Sequence, residues 1–449
     1  MPTVVVTTSG FSALARFTGK AGGVDDLQIA EYPGPLGIHE AQEIENNIAQ
    51  VLVERIVTGL TATTGGAATK RAAAQHPRAI VFTGTAEEVD GYFLAQEWSD
   101  GLPVVAPTLE RVASFLRYTD RAHDEEIAIL PSANLRATPW NIAVNGVMAG
   151  SRPQHMPLLI AAVEALADPE CRLASIGSSS GIFPYVLVNG PLAKTLGFEN
   201  DAQLVSRGAN PALGRAVGLI VKNIAGFRPG ASYMGTFGYP LAFALAENET
   251  ASPWEPFHVS RGFAPAQSTV TIGVTNNWGP APAAYSAQGQ SGAQSALELI
   301  AKEIKSSTRL FNFPARGADA ERVMLTILMS PSIAQSLADA GYSKPQIKQH
   351  LYEHTRMSLR EFDWVLKYTT ISGQSARERA AEGVFPPEFS GAPDDSVRVL
   401  SSPDILHIVV CGDPHRNRVM VLEGGHTYPV TKPVVLPAQW DELLKESAK

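Results

Sequence analysis

Residues 153–167 read Pro-Gln-His-Met-Pro-Leu-Leu-Ile-Ala-Ala-Val-Glu-Ala-Leu-Ala, and Asp168-Pro169 closes them. A helix this apolar has almost no face to offer water, so other elements must bury it on most sides. That requirement already calls for a layered fold.

Strand-like and helix-like segments alternate around it. A short apolar strand is expected at Ala79–Phe82. Thr85 to Glu88 has the capping-box spacing and opens a helix running towards Trp98. Thr138-Pro139 sets a cap and a first-turn proline in order, and Gly150 ends that helix. Tyr185–Val188 reads as an interior strand. Asn210-Pro211 caps a helix carrying Leu213, Val217, Ile220, Val221 and Ile224, which Gly226 stops. Thr269–Thr275 alternates as a strand. Helices are then expected over 293–305, 331–340 and 343–356, and strands over 323–329, 405–411 and 418–422. The alternation predicts an α/β class: two α/β domains with partly parallel sheets, plus an N-terminal helical arm.

At 449 residues the chain exceeds what one core usually serves. The expected division is an arm at 1–60, a Gly/Thr/Ala-rich linker at 61–78, a central α/β domain at 79–275 and a C-terminal α/β domain at 276–449. The arm's apolar residues between His39 and Val57 recur at helical spacing and need a partner, which predicts a homodimer. Asn276–Gly292 is uncharged and rich in Gly, Ala and Pro, the composition of a binding loop or lid.

A formal net charge of −8, with no basic run longer than Lys70-Arg71, argues against nucleic acid and anionic membrane surfaces. No stretch is apolar enough to span a bilayer, and no basic flank marks a secretory signal. Only Cys171 and Cys411 are present, which fits a reducing cytoplasm. Phosphate-loop, C-x-x-C and nucleophile-elbow motifs are missing. His350-Leu-Tyr-Glu353-His354 fits the H-x-x-E-H spacing and keeps a metal-dependent hydrolase open as an alternative. No metal ligand set and no cofactor is assigned.

Four groups carry candidate chemistry. At the joint after Asn145, Ser151 and Arg152 open the apolar helix, where free N–H groups and a guanidinium fork suit a carboxylate. Arg207 and Arg215 flank the Asn210 helix start. Glu247, Glu249, Trp254, Glu255 and His258 follow an apolar segment, and Glu247 or Glu255 is the candidate base there. Cys411-Gly412-Asp413-Pro414-His415-Arg416-Asn417-Arg418 leaves another strand. Asp413 is positioned to orient His415, and Arg418 to bind an anion. These residues and Arg152 are expected to line one cavity.

Taken in series, Glu97-Trp-Ser-Asp100-Gly-Leu-Pro through Thr108, Val144 through Pro153, Leu187-Val-Asn-Gly-Pro191, Asn210 through Arg215 and Ser252-Pro-Trp-Glu-Pro256 resemble a bacterial family. It is grouped with the UGSC-motif (seleno)proteins and is similar to the B component of glycine, sarcosine and betaine reductases. Ala30-Glu-Tyr-Pro-Gly-Pro35 resembles that group's N-terminal region. Two departures stand out. The Cys/Sec-Gly-Ser-Cys motif is absent, and the expected Gly-Cys-Arg-Pro is Gly150-Ser151-Arg152-Pro153. The resemblance implies an intracellular enzyme on small carboxylates or amines, without reductase chemistry.

The resulting expectation is an enzyme that makes or breaks a C–S or C–N bond in a small carboxylate-bearing substrate. Asn145, Ser151, Arg152, Arg207, Arg215 and Arg418 are the binding candidates. Asp100, Glu247, Asp413 and His415 are the proton-transfer candidates. The alternative from another class is a non-catalytic ligand-binding or assembly subunit.

Overall fold

A computed structural model describes residues 2–62, 78–177, 179–238, 242–286, 289–307, 324–369, 374–424 and 428–447. The expected linker falls almost wholly outside the described residues. In chain order the strands are β1 (Val5–Thr8), β2 (Ile29–Tyr32), β3 (Ala128–Leu130), β4 (Leu135–Ala137), β5 (Phe183–Asn189), β6 (Phe243–Ala246) and β7 (Thr269–Thr275). They continue with β8 (Leu325–Met329), β9 (Arg356–Ser358), β10 (Ser396–Arg398), β11 (Leu406–Val410), β12 (Val419–Glu423) and β13 (Val430–Pro433).

Two sheets organise the body. The first has the order β13-β7-β5-β6, and the second β11-β8-β12. Each is mixed: β5 runs parallel to β6 and β11 parallel to β8, while the remaining neighbours are antiparallel. The expected α/β class with partly parallel sheets is therefore borne out.

Strand periodicity explains how the sheets meet. Val186 and Val188 face a helical layer, whereas Tyr185 and Leu187 join Leu245, Leu328, Val409 and Leu422 in a separate apolar cluster. Alternate residues of one strand point to opposite faces, so that cluster is the contact of one sheet with the other. The Tyr185 hydroxyl crosses it to Thr326 Oγ1 at 2.7 Å.

The outer face of the first sheet is covered by the Met156–Ala167 and Asn210–Asn223 helices. The outer face of the second is covered by Gly292–Ser307, Pro331–Asp339 and Lys344–His354. The architecture is thus four layers, helix–sheet–sheet–helix.

The apolar helix sits where its sequence demands. Ten of the twelve residues from Met156 to Ala167 are buried, and each buried Leu or Ile there contributes roughly 1.5–3 kcal/mol. Its one acid, Glu164, reaches Arg121 at 3.3 Å. A smaller core of Phe362, Phe385 and Phe389 lies under β9 and β10.

Three local expectations need correction. Ala79–Phe82 is not a strand; it has no pairing partner, and Ile80 is 76% exposed. Asn210 does not cap its helix, because its amide instead ties down the 199–204 loop through Glu199 N and O and Leu204 O. The helical arm with its short strand-like start holds a second strand as well. β1 and β2 pair in parallel around the Ser12–Ala21 helix, and a π turn at Ile48–Leu52 interrupts the following helix.

Candidate active site

β5 and β6 run side by side and end together, and polar side chains begin where they stop. Asn189 closes β5, and Glu247 follows β6. Asn189 Nδ2 donates to Glu247 Oε2 at 2.6 Å and to Glu249 Oε1 at 2.9 Å. Phe257 N donates to Glu247 Oε2 at 2.6 Å, and Gly190 N to Glu249 Oε1 at 2.7 Å. Gly190 has φ +85°, and a side chain there would meet Gln267 O and Ser268. Only glycine accepts both that conformation and that approach.

The second half of the body completes the cluster. Lys344 Nζ donates to Glu255 O at 2.8 Å and lies 3.6 Å from Glu247 Oε1. Asn248 N donates to Val410 O at 2.8 Å, joining the end of β6 to the end of β11. His407, within β11, meets the Phe257 ring edge to face at 5.8 Å.

Burial raises the Glu247 pKa, and Lys344, Phe257 N and Asn189 oppose it without cancelling it. Burial also drives the His407 imidazole down to about 3, with Lys348 and Arg261 adding to the effect. His258 is fully buried, with Nδ1 3.7 Å from Glu249 Oε1. Among the described residues, Glu247 Oε1, Asn189 Oδ1 and both His258 nitrogens have no hydrogen-bond partner. Buried polar atoms are rarely left so, and their concentration here is a feature of this one centre.

The remaining predicted residues lie elsewhere, and several converge on the Asn210–Asn223 helix. Arg215 clamps Asp100, Ser151 Oγ donates to Ala212 O at 3.0 Å, and Asn145 Oδ1 accepts from Asn223 Nδ2 at 2.9 Å. Lys222 Nζ and Asn223 Nδ2 also donate to Ser99 O and Trp98 O. This helix therefore straps down the Trp98–Pro103 loop, and Asp100 and Arg215 occupy one another. Arg152 is exposed. Arg207 is exposed too, 3.7 Å from Glu199.

Asp413, His415 and Arg418 lie on the turn between β11 and β12, which flank β8 rather than each other. Asp413 takes Arg416 at 3.4 Å and the backbone N–H of His415 at 2.8 Å; Arg418 donates to Ala281 O at 2.9 Å. Asp413 is thus occupied within the turn, and Asn417 and Arg418 hold the 281–284 segment. His350 and His354 do share a helix face, with rings 4.3 Å apart, but Glu353 accepts from Gln349. Among the described residues, no three His, Cys, Asp or Glu side chains converge as metal ligands.

Lys344 and His407 escaped sequence reasoning, although each left a signal. A lysine as the first residue of a helix opposes the helix dipole, and a histidine inside Leu-His-Ile-Val-Val must be buried.

The N-terminal segment is a β–α–β unit with its own polar core. Ser12 Oγ donates to Glu31 Oε2 at 2.6 Å, while the Tyr32 hydroxyl lies 2.7 Å from His39 Nδ1 and accepts from Asn47 Nδ2. Residues 1–62 match the UGSC family. The match lies within the N-terminal segment, and similarity to reductase component B is not shown. No cysteine occurs in the matched segment, since Cys171 and Cys411 both lie beyond it. No curated protein and no solved structure matches the chain. Among the described residues, no helix is long and apolar enough to cross a membrane.

Proposed function

We propose that this protein is an enzyme that makes or breaks a C–S or C–N bond in a small carboxylate-bearing molecule, using Glu247 for proton transfer and no redox cysteine. The observation that carries the reading is a buried carboxyl with a raised pKa at the paired ends of β5 and β6. In α/β sheets, ligands collect beyond the carboxyl ends of strands. Because Glu247 Oε2 already accepts two donors, the proton of the neutral acid belongs on Oε1. From there it can pass to a heteroatom leaving by elimination, and the carboxylate so formed regains a proton from the carbon adjacent to the broken bond, where the carbon–carbon double bond forms. Lys344 supplies the positive charge for the substrate's carboxylate. This role suits it better than Arg152, whose side chain is in solvent.

The test has two parts. A small molecule that co-purifies with the protein, identified by mass spectrometry, names the substrate. Glu247→Gln should then turn it over at least about a hundredfold more slowly, the usual contribution of a general acid–base group, while its circular dichroism stays native. Undiminished turnover in that variant overturns the assignment.

We further propose that the protein is a cytoplasmic homodimer. Its support is the apolar surface of the arm, where Ile38, Val53 and Val57 are exposed. A monomeric mass by light scattering at micromolar concentration would count against it.

A further inference from the structure

β5 carries the Glu247 centre at its Asn189 end, and a separate cavity of about 340 Å³ lies at its Phe183 end. The strand between them spans roughly 20 Å, so the two places are distinct. The volume suits a small ligand.

The walls are apolar. Ile176, Ile182, Phe183, Val221 and Phe227 line the cavity, together with the bare backbone of Gly235 and Gly238. Gly235 packs so closely on Gly181 that a Cβ there would meet Gly181 Cα at 2.6 Å.

Two charged residues enter the described lining, Asp100 and Lys222. Asp100 is already taken by the fork of Arg215. Lys222, in the last turn of the Asn210–Asn223 helix, is half-buried and donates to Ser99 O at 2.5 Å. Among the described residues it has no ion-pair partner, because the acid beside it belongs to Arg215. An ammonium has three donors, and one acceptor leaves the rest unused. Burial lowers the Lys222 pKa against the pull of Glu97 and Asp100, with Arg228 helping.

We infer that this cavity binds a short aliphatic carboxylate, its chain among the apolar walls and its carboxylate on Lys222. The walls need the chain, and the spare ammonium donors need the anion. An acid without a tail, or an uncharged alcohol with one, meets only one of these demands. Nothing in the assignment depends on Glu247.

The experiment titrates the full chain with hexanoate by calorimetry, beside acetate and hexan-1-ol. Saturable one-to-one binding of hexanoate is expected, with both comparison compounds at least about tenfold weaker. Lys222→Gln keeps a donor for Ser99 O but loses the charge, and should weaken hexanoate at least about tenfold. Lys222→Arg keeps the charge and should stay within about fivefold. Glu247→Gln should leave hexanoate affinity unchanged, which separates this site from the Glu247 centre.

A second readout follows from the lysine itself. An anion beside Lys222 raises its pKa, so binding at pH 9.5 should take protons from the buffer. Glu97, Asp100, Arg215 and Arg228 keep their charges at that pH. Tyr233, whose hydroxyl donates to Ile182 O at 3.0 Å, also lines the cavity. Lys222→Arg should abolish the uptake while keeping the binding; uptake that survives there belongs to Tyr233 and overturns the assignment. So does an absence of saturable binding, either comparison compound matching hexanoate, or unchanged affinity in Lys222→Gln.

Discussion

Arg215 grips Asp100 with two nitrogens, Nε and a terminal one, each 2.9 Å from a different carboxylate oxygen. The same guanidinium donates to Pro103 O at 2.8 Å. Burial works to raise the Asp100 pKa, but the hydrogen bonds and charge of Arg215 outweigh it and hold the carboxyl below its ordinary range. A carboxylate so held is a poor base and a good anchor.

Arg215→Lys keeps the charge but loses the fork and the carbonyl contact. It should cost about 1–3 kcal/mol of stability, read as a lower urea midpoint with an unchanged slope. An unaltered midpoint would show that the strap contributes nothing.

His155 and His407 make the protein acid-labile. Burial, with Arg152 second, lowers the His155 pKa to about 4, and His407 falls to about 3. Both values are depressed, so the stability these groups contribute is present above the ordinary imidazole value of about 6.5 and is lost as pH falls through the folded values. Inside that window each proton costs about 1.4 kcal/mol per pH unit. Urea unfolding between pH 7 and pH 4.5 should show the decline, and His407→Gln should make it shallower.

Glu247 acts with the opposite sign. Its folded pKa is raised, so its contribution is complete at low pH and is lost as pH rises through the folded value. Glu247→Gln should therefore remove a loss of stability on the alkaline side of pH 4.5. If the two proteins show the same pH profile there, Glu247 is not the buried acid described.

Gly190→Ala would place a methyl 2.5 Å from Gln267 O at φ +85°. The strain and overlap should cost about 2–4 kcal/mol, visible as a large fall in melting temperature. The Gly190 N–H contact to Glu249 should be lost with it.

Neither cysteine should behave as a reactive thiol. Burial, then Asp168, pushes Cys171 up to about 12; burial, then Glu247, raises Cys411 as well. An aromatic disulfide reagent at pH 8 should label neither in the native protein and both after denaturation. Fast labelling of Cys411 in the native state would contradict its burial.

The sequence exposed its strands and helices where periodicity and caps agreed. The Thr85–Glu88 capping box, the Thr138-Pro139 start and the Thr269–Thr275 strand all stand where those local rules put them. Ala79–Phe82 misled because an apolar run identifies a strand only if a neighbour is free to pair, and pairing is not a local property. The site followed the same division. Glu247 was visible as an acid just past an apolar segment, whereas Lys344 arrives from nearly a hundred residues away through the stacking of two sheets. Asp100 and Arg215 were each legible as polar residues with functional chemistry. That each is the other's partner is a tertiary fact.

β13 takes the outer edge of β7, with Val430 opposite Ile272, and Trp440 then closes over Tyr118 at a ring separation of 5.9 Å. The ribosome delivers β5, β6 and β7 long before it delivers that edge strand. During synthesis the nascent sheet therefore carries a bare, hydrogen-bond-hungry margin, the kind that pairs with whatever strand comes first. Its protection is a matter of timing, and a stall in translation near residue 425 would leave the molecule at its most adhesive.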